Sequence, residues 1–199
     1  ANPARNVVAV GGIATQIGVI GADAEGEQVR GLLAAAGIDA AGLLVSSTRP
    51  TTRKTRIMAD EAPRLPQQLA RIDRLERAPL SAAEEAEVIA AIAALMPGHH
   101  AVICSDSQAG LLTPAVVAAV RERCREHGAL FCVDAQGNSR YYTGADLFRC
   151  NNREAEAALG APLHSEEQFR EGVARLRAEL GARLVIVTRG PDGLSLEGE

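Results

Sequence analysis

Residues 101–135 read AVICSDSQAGLLTPAVVAAVRERCREHGALFCVDA. Ala101 to Cys104 form an apolar run of strand length. Thr113 offers an N-cap oxygen, and the fixed φ of Pro114 suits the first position of a helix. The helix this predicts runs over 114–127. Ala129 to Val133 form a second apolar run and predict a second strand. A strand, a helix and a strand in that order make the crossover that joins parallel neighbours. The stretch therefore assigns the chain to the α/β class.

The alternation continues outward in both directions. Toward the C-terminus, a short strand at 146–149 leads into a helix near 152–159. Ser165 caps a helix through 180, with Gly181 behind it, and LVIVT (184–188) is a buried strand. Gly190 and Gly193 shape a turn into a last strand at 194–196. Toward the N-terminus, Ser81 and Glu84 have capping-box spacing for a helix over 81–95. IATQIGVI (13–20) reads as a strand, and Gly21 and Gly26 bracket a turn. Val29, Leu32, Leu33 and Ala36 follow at helical spacing over 25–36, with Gly37 as the stop. Leu43 to Val45 add a short strand. Strands alternating with helices imply a mostly parallel sheet with helices on both faces.

Residues 49–77 differ in character. TTRKTRIMA (51–59) and QQLARID (67–73) have the mixed pattern of half-exposed strands, and Pro63 and Pro66 break the segment between them. This predicts a small, two-sided polar sheet, a lid over about 46–75, on one domain spanning 1–199. Arg49, Arg53, Lys54, Arg56, Arg64, Arg71, Arg74 and Arg77 outnumber Asp60, Glu61, Asp73 and Glu76. The segment is +4 inside a chain of net charge −4. Such a segment suits an anionic ligand. Lys54 is the only lysine among 21 basic residues.

Composition narrows the function. With 199 residues and 47% hydrophobic content, the chain can bury one sizeable core. An acidic chain argues against nucleic acid as the main partner. No apolar run approaches a membrane span or has the build of a signal peptide, so the expected compartment is the cytoplasm. Cys104, Cys124, Cys132 and Cys150 form no CxxC pair and have no histidine at ligand spacing. They read as small buried thiols. His99 and His100 fall in a turn, and His127 and His164 read as surface residues.

In parallel sheets ligands bind at the carboxyl ends of the strands. Those ends carry Ser105-Asp106, Asp134, Asn151 and Thr188-Arg189-Gly190. Asp106 and Asp134 end adjacent strands and are expected to face one crevice. Asn151 and Glu154 straddle a strand-to-helix junction, where N–H groups and the helix dipole favour phosphate. A carboxylate beside phosphate implies an intervening cation, so Glu154 suggests Mg²⁺ held through water. The same pair also reads as a helix cap, and the two roles can coexist. Asp23 reads either as the cap of the helix that follows it or as a sugar contact.

These residues resemble a known family. GADAEG (Gly21 to Gly26) is similar to the G-x-D-x-x-G turn of ribokinase-like (PfkB-type) sugar kinases. NNRE (Asn151 to Glu154) is similar to their N-x-x-E motif, and TRGPDG (Thr188 to Gly193) to their T-x-G-x-x-G nucleotide loop. PTTRKTR (50–56) with QQLARID (67–73) resembles the lid of the bacterial heptose-7-phosphate kinases. The resemblance implies a ribokinase-like fold with ATP and Mg²⁺ as cofactors. It implies Asn2, Asp23, Lys54, Arg56, Arg71 and Asp106 as substrate contacts, and Asp134, Asn151, Glu154, Thr188, Gly190 and Gly193 at the nucleotide, with Glu154 toward the metal. Asn2 matches the last residue of the family's G-G-x-x-N motif. The family's first strand and its catalytic aspartate, on a G-A-G-D motif, are expected before Ala1 and beyond Glu199.

The chain also departs from the pattern. The heptose kinases read S-D-Y-x-K-G where this chain has Ser105 to Gly110, and D-P-K-G where it has Asp134 to Gly137. Ala109 and Gln136 thus stand in place of lysines. The expected activity is ATP-dependent phosphorylation of a sugar or sugar phosphate, with a heptose-phosphate-like substrate favoured. The alternatives are a non-catalytic sugar- or nucleotide-binding module, or the kinase half of a bifunctional kinase–nucleotidyltransferase. A homodimer through the lid would cover the edges of that sheet.

Overall fold

The computed structural model describes residues 2–59 and 67–198. Backbone contacts divide the chain into two compact units, Ala1–Ala78 and Pro79–Glu199.

The first unit begins with a helix that the sequence pattern did not single out, α1 (Asn2–Ala9). At eight residues it is too short to establish a period. Its Val7 and Val8 pack on a core of Ala14, Ile20, Leu33, Ile38 and Leu43. Strands β1 (Thr15–Gly21) and β2 (Asp39–Ser46) pair in parallel around helix α2 (Ala24–Ala35). β2 is longer than the three residues expected. Leu33 is buried but Leu32 is 63% exposed, because successive helical residues stand 100° apart and only one of the two can face this core.

The lid strands form as expected. β3 (Arg53–Ala59) and β4 (Gln67–Arg74) pair antiparallel, with an irregularity between Ile57 and Met58. Pro63 and Pro66 lie outside the described residues. Both sides carry charge, and one of them adds exposed isoleucines. Cross-strand partners share a face, so the register puts Lys54, Asp73, Arg56 and Arg71 on one side. Arg53, Arg74, Thr55, Ile72, Ile57 and Ala70 lie on the other, where Ile57 and Ile72 are 44% and 61% exposed.

The second unit is a five-stranded sheet in the order β5 (Ala101–Asp106), β6 (Leu130–Ala135), β7 (Leu147–Asn151), β8 (Leu184–Thr188), β9 (Leu194–Gly198). The first four are parallel and β9 is antiparallel to β8. Helices α3 (Ala82–Leu95), α4 (Pro114–His127), α5 (Asn152–Leu159) and α6 (Glu166–Leu180) connect and cover them. The caps read from the sequence are present: a capping box at Ser81, Thr113 with Pro114, and a capping box at Ser165 with Gly181 in the left-handed conformation behind its helix. Phe131, Val133, Phe148, Cys150, Val185 and Val187 alternate along the strands and build the core of this unit. Burial pushes the thiols of Cys104 and Cys150 up to about 12 and that of Cys124 to about 11, out of the reactive range. None forms a disulfide.

Candidate active site

In the first unit the G-x-D-x-x-G turn is a closed hydrogen-bonded loop. Asp23 caps α2: its Oδ1 accepts the Gly26 N–H at 2.9 Å and its Oδ2 accepts the Thr51 N–H at 3.0 Å. The Gly21 N–H donates to Thr51 Oγ1 at 2.8 Å. The cap reading of Asp23 is therefore met, and both of its oxygens are engaged within the protein. Hydrogen bonding from Thr51, hydroxyl first and then N–H, holds the Asp23 carboxyl below the usual 3.8. A carboxyl with a lowered folded pKa stabilises the fold above its unfolded pKa, and that contribution is lost as pH falls through the folded value. Stability of Asp23→Asn should therefore depend less steeply on pH below about 4 than that of wild type, in urea melts at stepped pH. Equal slopes would refute the assignment.

On the basic side of the lid, Arg71 is held by Asp73 through two hydrogen bonds of 2.8 and 2.9 Å. Lys54 and Arg56 make no ion pair among the described residues. Arg53, on the opposite side, pairs with Glu25 at 2.6 Å. Asn2 is exposed at the start of α1.

In the second unit the strand ends behave as two sets. Asp106 is 7% exposed; its Oδ1 accepts the Gln108 N–H at 2.7 Å and its Oδ2 accepts the Tyr142 hydroxyl at 2.7 Å. Burial and this bond together raise the Tyr142 pKa, so the phenol stays a donor. Register pairs Ser105, not Asp106, with Asp134. Asp106 and Asp134 thus point to opposite faces of the sheet and do not share a crevice. Ends of adjacent strands share a face only when their residues are register partners, because side-chain direction has a two-residue period.

The other set converges. Arg149, in the middle of β7, donates from one guanidinium nitrogen to Asp134 Oδ1 at 2.8 Å and from another to Thr188 Oγ1 at 3.1 Å. One residue thus joins two sequence candidates from flanking strands. Arg149 itself was not among those candidates. The available signal was a charge flanked by Leu147, Phe148 and Cys150 in LFRCN. Beside it, Asn151 and Glu154 form a reciprocal capping box, with bonds of 3.0 and 2.7 Å. That box occupies Glu154 Oε2 and leaves Oε1 without a hydrogen bond among the described residues.

No group of three or more His, Cys, Asp or Glu side chains that could hold a metal occurs among the described residues. A single free carboxylate oxygen at a helix N-terminus still fits Mg²⁺, which keeps most of its ligands as water and phosphate oxygen. After Thr188, the Arg189 N–H donates to the Gly193 carbonyl at 2.8 Å. Gly190 and Gly193 have φ of +62° and +83°, and a Cβ on either would meet open space. Conformation, not crowding, is what calls for glycine there. The Arg189 side chain turns away to pair with Glu166 and lies 4.0 Å over the Phe169 ring, which anchors the turn to α6.

The fold is that of the ribokinase-like sugar kinases. Phosphofructokinase-2 from Escherichia coli in complex with fructose-6-phosphate superposes with a TM-score of 0.77 at 19% identity, over 100% of this chain and 64% of that one. Arabidopsis thaliana ribokinase with ribose and ATP gives 0.70 at 17%, over 100% and 62%. The chain belongs to the pfkB family of carbohydrate kinases, whose model matches residues 1–197. Its sequence is 34% identical over 196 residues to the bifunctional protein HldE of Pelobacter propionicus and 33% identical to that of Geobacter metallireducens. It covers 39% of the length of each of these relatives. No helix among the described residues is long and apolar enough to cross a membrane.

Proposed function

We propose that residues 1–199 are the sugar- and nucleotide-binding part of one ribokinase-like kinase domain, with its lid at 46–75, that phosphorylates a hydroxyl of a sugar already carrying a phosphate. The observation that carries this reading is the convergence of Asp134, Thr188 and the Asn151–Glu154 box at the carboxyl ends of three adjacent parallel strands. Such an edge suits nucleotide phosphates. Mg²⁺ held through water at Glu154 would neutralise the charge that builds on the transferring group. Thr188, Gly190 and Gly193 shape a turn open enough for a nucleotide, and Asn151 fixes the direction of Glu154. The aspartate that activates the hydroxyl is expected on the family's G-A-G-D motif, outside this sequence.

For the substrate, Lys54 and Arg56 supply charge on the face where Arg71 is already neutralised by Asp73. Asp106 is buried and holds the backbone of its loop, so its service to a sugar is indirect, whereas the half-exposed Asp23 keeps acceptor capacity for a sugar hydroxyl beside its two backbone bonds. Asn2 remains the exposed candidate for a sugar hydroxyl. Lys54→Ala should raise KM for a sugar phosphate about tenfold or more and leave KM for a neutral sugar within about twofold, the difference being one charge-assisted contact. Equal effects on both substrates would rule out phosphate contact by Lys54.

The similarity to HldE proteins supports a heptose phosphate as the sugar and a kinase half of a bifunctional kinase–nucleotidyltransferase as the context. The exposed Ile57 and Ile72, on the side of the lid shared with Arg53 and Arg74, favour pairing of two copies through that sheet. The proposed partners are small molecules and a second copy of the chain rather than nucleic acid or membrane, and the proposed compartment is the cytoplasm.

A further inference from the structure

Arg149 is placed where a charge needs a reason. It is the third of five residues in β7, where Leu147, Phe148 and Cys150 are apolar and Asn151 ends the strand, between two hydrogen-bonded neighbours. Its ion pair with Asp134 is half-exposed, with side chains 40% and 43% accessible, and pairs in that setting add little to stability. Yet the guanidinium is not loose. Asp134 holds it from β6 and Thr188 from β8, which fixes the plane of the fork. A guanidinium has five N–H donors, and these two bonds use two of them. The same sheet face holds Thr188 and Asn151, and the turn at Gly190 and Gly193 follows directly. Arg189, next to Thr188, cannot serve there because Glu166 and Phe169 engage it.

We infer that Arg149 is a phosphate-binding residue of the nucleotide subsite, with Asp134 and Thr188 as the residues that position it. A planar fork fixed on one edge presents its remaining donors to phosphate oxygens in two-point geometry. Asp134 then acts on the ligand through Arg149, because its carboxylate would repel a phosphate that it met directly.

The inference rests on the kinase reading, and direct binding to the full-length protein separates the two. ATP, ADP, adenosine and a sugar phosphate are titrated calorimetrically into wild type, Arg149→Ala and Arg149→Lys. The expected result is a loss of about tenfold or more in ATP and ADP affinity for Arg149→Ala, with adenosine and sugar phosphate unchanged. Arg149→Lys is expected to recover part of the loss. Unchanged ATP affinity in Arg149→Ala overturns the assignment and leaves the kinase reading intact. Equal losses for ATP and adenosine make Arg149 structural, and a loss confined to the sugar phosphate moves it to the other substrate. Both results contradict the proposal. Wild-type protein that binds no ATP overturns the kinase reading and the assignment with it.

Discussion

Gly26→Ala is expected to destabilise the first unit by about 3 kcal/mol, the upper end of what overpacking a close-packed site costs. A Cβ at this position would lie 2.5 Å from the Gly21 carbonyl oxygen and 3.1 Å from Thr51 Oγ1. The nearer neighbour is backbone, so it cannot rotate aside as a side-chain end would. The clash falls where Asp23 accepts the Gly26 N–H and where Thr51 ties the following loop to β1. Gly31 in the same helix is the control, because nothing lies within 4 Å of its Cβ. Gly31→Ala should stabilise by about 0.5–1 kcal/mol through helix propensity alone. Urea melts of the two variants test this. A Gly26→Ala protein as stable as Gly31→Ala would mean that the turn does not close as described.

The second large effect concerns Glu154. Its Oε2 accepts the Asn151 N–H in the capping box, and the proposed function assigns Oε1 to a metal-bound water. Glutamine at this position keeps a capping acceptor and removes the charge. In the full-length protein Glu154→Gln should therefore keep its melting temperature within a few degrees and lose about a hundredfold or more in kcat, the range seen when one preorganised electrostatic contact is removed. Glu154→Ala should lose activity and also about 1 kcal/mol of stability with the cap. A steady-state assay with thermal melts of both variants checks this. A Glu154→Gln enzyme with wild-type kcat would reduce Glu154 to a helix cap.

Much of the architecture was legible in the sequence because each signal was local. Thr113-Pro114 and Ser81 with Glu84 announce helix starts through groups within four residues of one another, and Gly181 marks a helix end by itself. What was not legible depends on register. Asp106 and Asp134 look equivalent along the chain, yet β5–β6 pairing sets Asp134 opposite Ser105 and turns Asp106 inward to Tyr142, 36 residues away. Pairing sorts Lys54, Arg56 and Arg71 onto one side of the lid and Ile57 and Ile72 onto the other, beside Arg53 and Arg74, which the alternation along one strand does not show. Arg149 escaped notice for the same reason: its meaning comes from Asp134 and Thr188, 15 and 39 residues distant. The Asn151–Glu154 spacing indicated both a cap and a metal-facing carboxylate, and the box leaves one oxygen for the second role.

The proposed reaction is phosphate transfer from ATP to a sugar that is already phosphorylated. The most direct measurement is ADP release by the full-length protein with Mg²⁺ and ATP, across a panel of sugars and their phosphates that includes a heptose 7-phosphate. The account predicts ADP formation matched by a doubly phosphorylated sugar, with kcat/KM at least about tenfold higher for a sugar phosphate than for its neutral counterpart, as one charge-assisted contact would give. ADP release no faster with any sugar than with ATP alone would contradict it.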